Sequence, residues 1–304
     1  PTHIRVSADQ RSVRWTPEAS LQASSCGGGS NACRYRPTIS GVKDRSGNTI
    51  AATFNSVTIR ASTDATAPTV SNFVPASGST LAQNGSFAVF FSEAMDRSTL
   101  TNANFSFGGL CSFQSVFPSQ DGTWAVVNCY HTMTAGSGYS LTLAGSSIRD
   151  RYVGSNNANC ENAGGNTMGS NPSISFNVSG LDTTAPPVSS VSPSDGTTSV
   201  STSVTPSITF SEALDPRTVS PTTVFLIDSV GNLIGTTPSL NSTATTVTLT
   251  PKLALTNPGI YYIIATTALR DLGGGNAYDG DGGETTSTPN VLRTCFSTSS
   301  TACP

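Results

Sequence analysis

The chain repeats itself, and that limits its fold more than any other feature. Residues 64–78 read DATAPTVSNFVPASG and residues 182–196 read DTTAPPVSSVSPSDG, an offset of 118. FSEAMDRST at 91–99 returns as FSEALDPRT at 210–218, now at an offset of 119, so one loop residue separates two otherwise parallel copies. A tandem array of this kind must bury a core inside each copy or against its neighbour.

Within the last copy, short apolar runs alternate with turn residues. They predict strands near 188–193, 205–211, 222–228, 245–250, 259–267 and 290–297. SVTPSITFSEAL alternates about Ile208 and Phe210, while TTVTLTP and GIYYIIATTAL are dense in β-branched and aromatic residues. No helical period persists beyond a turn or two. This pattern predicts an all-β fold of tandem two-sheet antiparallel sandwiches. The N-terminus matches only the second half of a copy. RSVRWTP at 11–17 parallels TTVTLTP, RYRPTISGVKDRSGNTI at 34–50 parallels YYIIATTALRDLGGGNA, and FNSVTIRAST at 54–63 parallels NVLRTCFST. The expected units are a first, incomplete sandwich at 1–63 holding only C-terminal strands, a second at 64–181, and a third with a C-terminal tail at 182–304. The strands lacking from the first would come from upstream sequence or from another chain, as in strand complementation.

Composition narrows the function. Serine and threonine make up 89 of 304 residues, and only Lys43 and Lys252 are lysines. Hydroxyls rather than charges keep the chain in water, which points outside the cell. The net charge of −3 and pI near 5.3 give no basic footprint for nucleic acid. No apolar run is long enough to span a membrane.

The ordered motifs D-x-T-A-P, P-x-x-G, F-S-E-x-[ML]-D, L-T-P, a Tyr-containing strand and [KR]-D-x-x-G-N resemble the bacterial Ig-like domains of S-layer proteins and surface adhesins, the SbsA-type (Big_5) group. The second copy departs from the pattern, with NCY in place of L-T-P and an Asn-rich insert after Arg149-Asp150. The resemblance implies an extracellular, non-catalytic sandwich on a bacterial surface. It names no ligand.

Seven cysteines suggest three local pairs. Cys26 and Cys33 flank CGGGSNAC, a loop insertion. Cys111 and Cys129 are symmetric about residue 120 in the turn signal SQDG, and so face each other if the hairpin register holds. Cys295 and Cys303 tie the tail to the last strand, leaving Cys160 unpaired or intermolecular. A metal role for these thiols is disfavoured, since no C-x-x-C pair is present.

The acidic pairs Glu93/Asp96 and Glu212/Asp215 recur in both copies. Paired carboxylates suit glycosidases, but recurrence in every bead argues instead for a braced turn after the second strand. Asp44, Asp150 and Asp271 recur as Asx turns before glycines. AYDGDGGETT occurs once, and Asp279, Asp281 and Glu284, with Asp271 nearby, form the expected calcium candidate. His3 and His131 lack nucleophile signatures, and no catalytic residue is expected. Trp15 and Trp124 fall at comparable places in core-like strands. Asn84, Asn104, Asn177 and Asn241 match the glycosylation sequon, an accidental match in a bacterial chain. The expectation is a structural subunit of an extracellular fibre, filament or layer, its partners copies of itself or other surface proteins. The alternative is an adhesin stalk or an ancillary module of a polysaccharide-active enzyme, with glycans as partners.

Overall fold

A computed structural model describes residues 66–108, 110–111, 114–129, 131–151, 165–280 and 291–304, residues 43 and 47–49, and four short strands nearer the N-terminus. The first two, β1 (His3–Val6) and β2 (Val13–Thr16), pair antiparallel, as do β3 (Ala32–Tyr35) and β4 (Val57–Arg60). Residues 1–63 are otherwise outside the described set, including Cys26 and Asp44.

The second unit is a sandwich of two four-stranded sheets. One sheet is ordered β5 (Val70–Val74), β7 (Ser86–Phe91), β10 (Trp124–Cys129), β9 (Gln114–Pro118). The other is β6 (Thr80–Ala82), β12 (Ser173–Ser179), β11 (Gly136–Leu143), β8 (Phe105–Ser106). Phe87, Val89 and Phe91 of β7 point into its core, where Phe87, Phe107 and Phe176 pack ring against ring with Phe87 and Phe176 centroids 4.9 Å apart. That edge-to-face geometry suits the aromatic quadrupoles.

The third unit repeats the plan. Its sheets are β13 (Val188–Ser192), β14 (Ser207–Phe210), β18 (Thr246–Pro251), β17 (Thr236–Leu240), and β16 (Leu233–Ile234), β15 (Val224–Asp228), β19 (Ile260–Ala265), β20 (Leu292–Ser297). Ile208, Phe210, Val247, Leu249, Ile263 and Phe296 fill the core. All-β tandem sandwiches are therefore what the chain forms, with two differences from expectation. Strands β16 and β17 were not predicted. β17 reads TTPSL, and its proline is tolerated because β17 is an edge strand. The pairing is also not purely antiparallel: β6 runs parallel to β12, and Thr197 makes a parallel bridge to Phe296.

The hairpin β1–β2 carries the register of β17–β18. His3↔Thr16 to Val6↔Val13 corresponds to Thr237↔Thr250 to Leu240↔Val247. The repeat is thus visible in strand pairing as well as in sequence.

Replacing Phe87 with alanine removes a fully buried ring from the second core. Urea unfolding should show a loss of about 3–5 kcal/mol from that unit. A loss below about 1 kcal/mol would mean the ring cluster does not organise the core.

Candidate functional site

The described residues bring an apolar cluster and the carboxylates of Asp182, Glu212 and Asp271 to one place, the junction of the second and third sandwiches. It starts from β7, whose sequence SFAVFF is apolar at every position after the first. Its inward residues fill the core, so its outward residues Ala88 and Phe90 need a second cover. Together with Val74 and Val126 they form a separate buried cluster with Ala244 and Leu272 of the third unit, against which Trp124, Ala213 and Leu240 pack. Trp124 lies in the core strand β10 but is itself half-buried at this joint, packed against this cluster. The side chain of Trp15 lies outside the described residues.

A polar half of the joint sits beside the apolar one. The Asn84 carboxamide accepts the Asp182 backbone N–H at 2.9 Å and donates to the Asp182 carbonyl at 2.9 Å and the Gly274 carbonyl at 3.5 Å. Ser86 donates its backbone N–H to the Leu272 carbonyl at 3.0 Å, and Asn72 Nδ2 donates to the Ser242 carbonyl at 2.7 Å. Arg217 of the third unit lies over the Phe117 ring of the second, 4.7 Å from its centroid. One of these contacts, Ser86 to Leu272, is backbone to backbone across the gap, and glycines make room for the close approach. A Cβ on Gly85 would stand 2.8 Å from the Gly273 carbonyl oxygen, and one on Gly274 would stand 2.6 Å from that of Asp182. Asn84, a sequon match, therefore spends its side chain inside the joint.

The repeated acidic residues divide by role. Asp96 caps a short 3-10 turn by accepting the Ser98 N–H at 3.0 Å. Asp215 does the same for Arg217 at 2.9 Å and also holds its guanidinium at 2.6 Å. Asp150 is buried and accepts both the backbone and the side-chain amide of Asn166. Asp271 is buried and accepts the backbone N–H groups of Gly274, Gly275 and Asn276. These four aspartates brace turns.

Glu212 differs. It lines a cleft of about 440 Å³ along the joint, among Val74, Leu81 and Leu272, with Asp182 beside it. Burial, then the charges of Asp271 and Asp182, push its carboxyl up to about 7. Oxygens of Asp182, Glu212 and Asp271 lie within 4.8 Å of one another, a set of hard donors that suits a divalent cation. Of the calcium candidates taken from sequence, only Asp271 belongs to this set. Asp279 is exposed, and Asp281 and Glu284 fall outside the described residues. Asp271 also has most of its acceptor capacity committed to the turn.

Among the described residues there are two disulfides, Cys111–Cys129 and Cys295–Cys303. The first closes differently from the symmetric hairpin expected. Cys129 pairs in register with Gln114, so Cys111 reaches it from the loop ahead of β9. The second holds the tail over Tyr262, Ile264 and Phe225 on the outer face of the last sheet. The Cys33 side chain and Cys160 lie outside the described residues. His131 is exposed on the loop after β10.

One contrast was not foreseen from the sequence. On the same outer face of the third unit, the positions of Val74, Ala88, Val126 and Phe90 are taken by Ser192, Ser207, Thr248 and Thr209. Thr209 and Thr246 hydroxyls meet at 3.2 Å across the strands. The signal was present in the strand sequences, since SFAVFF is continuous where SITF alternates.

Comparison with known proteins adds the following. The family described as bacterial Ig-like domain matches residues 64–177 and 182–298. No curated protein sequence matches the chain. Among solved structures, the methionine-rich copper resistance protein PcoC from Escherichia coli is 18% identical, covering 38% of this chain and all of its own, with a TM-score of 0.24. The N-terminal part of the bacterial S-layer protein SbsC is 18% identical over 76% of this chain, at a TM-score of 0.25, and this chain covers 44% of it. Tandem Ig repeats of Dlar are 10% identical at a TM-score of 0.22. Scores this low carry no functional weight.

The sign of the Glu212 effect follows from its position. The folded chain keeps that proton up to about pH 7, whereas an unfolded chain releases it near 4.5. Its contribution to stability is full below 4.5 and is lost as pH rises through 7. Thermal melts in chelator should show stability falling between these limits, and Glu212→Gln should flatten the fall. An unchanged slope in the variant would remove Glu212 from the account.

Proposed function

Because the chain belongs to the bacterial Ig-like domain family, we propose that it is a non-catalytic structural component of a bacterial exterior, a subunit of a surface fibre, filament or layer. The joint carries this reading. An apolar seat, a carboxamide clamp and a ring–guanidinium contact fix one bead on the next, where a flexible pair would need only its linker. Rigid succession of beads suits a protein whose task is reach and stiffness. The repeated aspartates support the same reading, because Asp96, Asp215 and Asp271 each accept backbone N–H groups that shape the turns of the beads. Among the described residues no helix is long and apolar enough to cross a membrane.

In such a structure copies of the chain are the natural partners. The short N-terminal hairpin β1–β2, with the register of β17–β18, would offer an edge for a strand from a neighbouring chain. Negative-stain electron microscopy of the purified chain, with sedimentation over a concentration series, tests this. Filaments or sheets that grow with concentration are expected. Monomers at every concentration would overturn the polymer reading and favour a stalk.

A further inference from the structure

Asn84–Gly85 is the one Asn-Gly pair in the sequence, and it lies at the joint, with the Asn84 side chain bonded to Asp182 and Gly274. Gly85 is fixed by packing and Asn84, itself exposed, by hydrogen bonding. Gly85 is buried, and any side chain there would meet the Gly273 carbonyl of the opposite domain. Asn84 supplies the acceptor and the donors that hold Asp182 and Gly274. An aspartate could not donate to the two carbonyls, and a longer residue would not reach back in the same geometry.

The same pair is chemically reactive. An asparagine carboxamide followed by glycine is open to attack by the next backbone nitrogen, since glycine has no Cβ to hinder the approach. The Gly85 nitrogen loses its proton and bonds to Asn84 Cγ. The Cγ–Nδ2 bond breaks, and ammonia leaves. Water then adds to one of the two imide carbonyls, giving aspartate or isoaspartate. Nothing beyond water is consumed.

In the closed joint this is restrained. The carboxamide is fixed by its contacts to Asp182 and Gly274, and the Gly85 N–H is engaged with the Ala82 carbonyl at 2.9 Å. We propose that Asn84–Gly85 is a self-modification site gated by the joint. Opening frees the carboxamide to cyclise, and the product keeps the joint from closing as tightly. The new carboxylate faces the Asp182 and Gly274 carbonyls with no proton to give, and Asp182 already shares a carboxylate cluster with Glu212 and Asp271. The chemistry is the same whether or not the chain forms fibres.

The full chain, held in mildly alkaline buffer at body temperature, tests this by peptide mapping. Residue 84 should gain the mass of amide-to-acid conversion, with isoaspartate present, ahead of the other asparagines. Phe90→Thr, which installs the third unit's own residue type at the seat, should speed conversion several-fold. Val126→Thr serves the same purpose should the first variant fold poorly. Hydrogen exchange at the Ser86 amide, which is bonded to Leu272 across the joint, should be faster in Asn84→Asp and in aged protein than in fresh protein. No conversion at residue 84 while urea-unfolded chain converts would overturn the proposal. So would equal rates in the wild type and both seat variants, or unchanged Ser86 protection in Asn84→Asp.

Discussion

A strand sends successive side chains to opposite faces, so a sheet that is apolar on both faces must be covered twice. That requirement governs the second unit. Phe87 and Val89 are covered by its own second sheet, and Ala88 and Phe90 by the end of the next bead. The joint is thus a consequence of what one strand cannot leave in water. The third unit meets the same geometry with a different solution: hydroxyls face outward from β13, β14 and β18, and its other sheet is covered by its own tail. A further bead set against that hydroxyl face would find no apolar seat.

Polar and apolar halves of the joint depend on each other. The seat fixes the distance between the sandwiches, and only at that distance do Asn84 and Asp182 meet. Glycines 85 and 274 then allow the backbones to come within contact. The motif D-x-x-G, in sequence a plain turn, at Asp271 presents the Leu272 and Gly274 carbonyls to the second unit. Asp271 gathers three N–H groups and so shapes the loop whose Gly274 carbonyl Asn84 engages.

Much of this was legible in the sequence because it was written twice. The repeats revealed the beads, and alternation about Ile208 and Phe210 revealed the sheet faces. The turn roles of Asp96 and Asp215 followed from their recurrence. The joint was not legible for a physical reason. Its residues are scattered over several strands of both units, the linker and the loops that hold Asn84, Ala213, Ala244 and Leu272, and each is ordinary alone. Glu212 illustrates the limit: as one of a repeated pair it reads as a turn brace, and only its position among Val74, Leu81 and Leu272 sets it apart from Asp215. The difference between SFAVFF and SITF was available, but a continuous apolar strand reads the same whether a helix, a sheet or another domain covers it.

The link between Cys295 and Cys303 reroutes traction along the backbone. Tension applied at Pro304 enters the sheet through the sulfur bridge at Cys295, inside β20, and skips the intervening residues 296–302. Those residues would stay slack while the middle of the strand, paired with Tyr262 across β19, takes up the pull. The last bead is therefore gripped by its interior and not by its end.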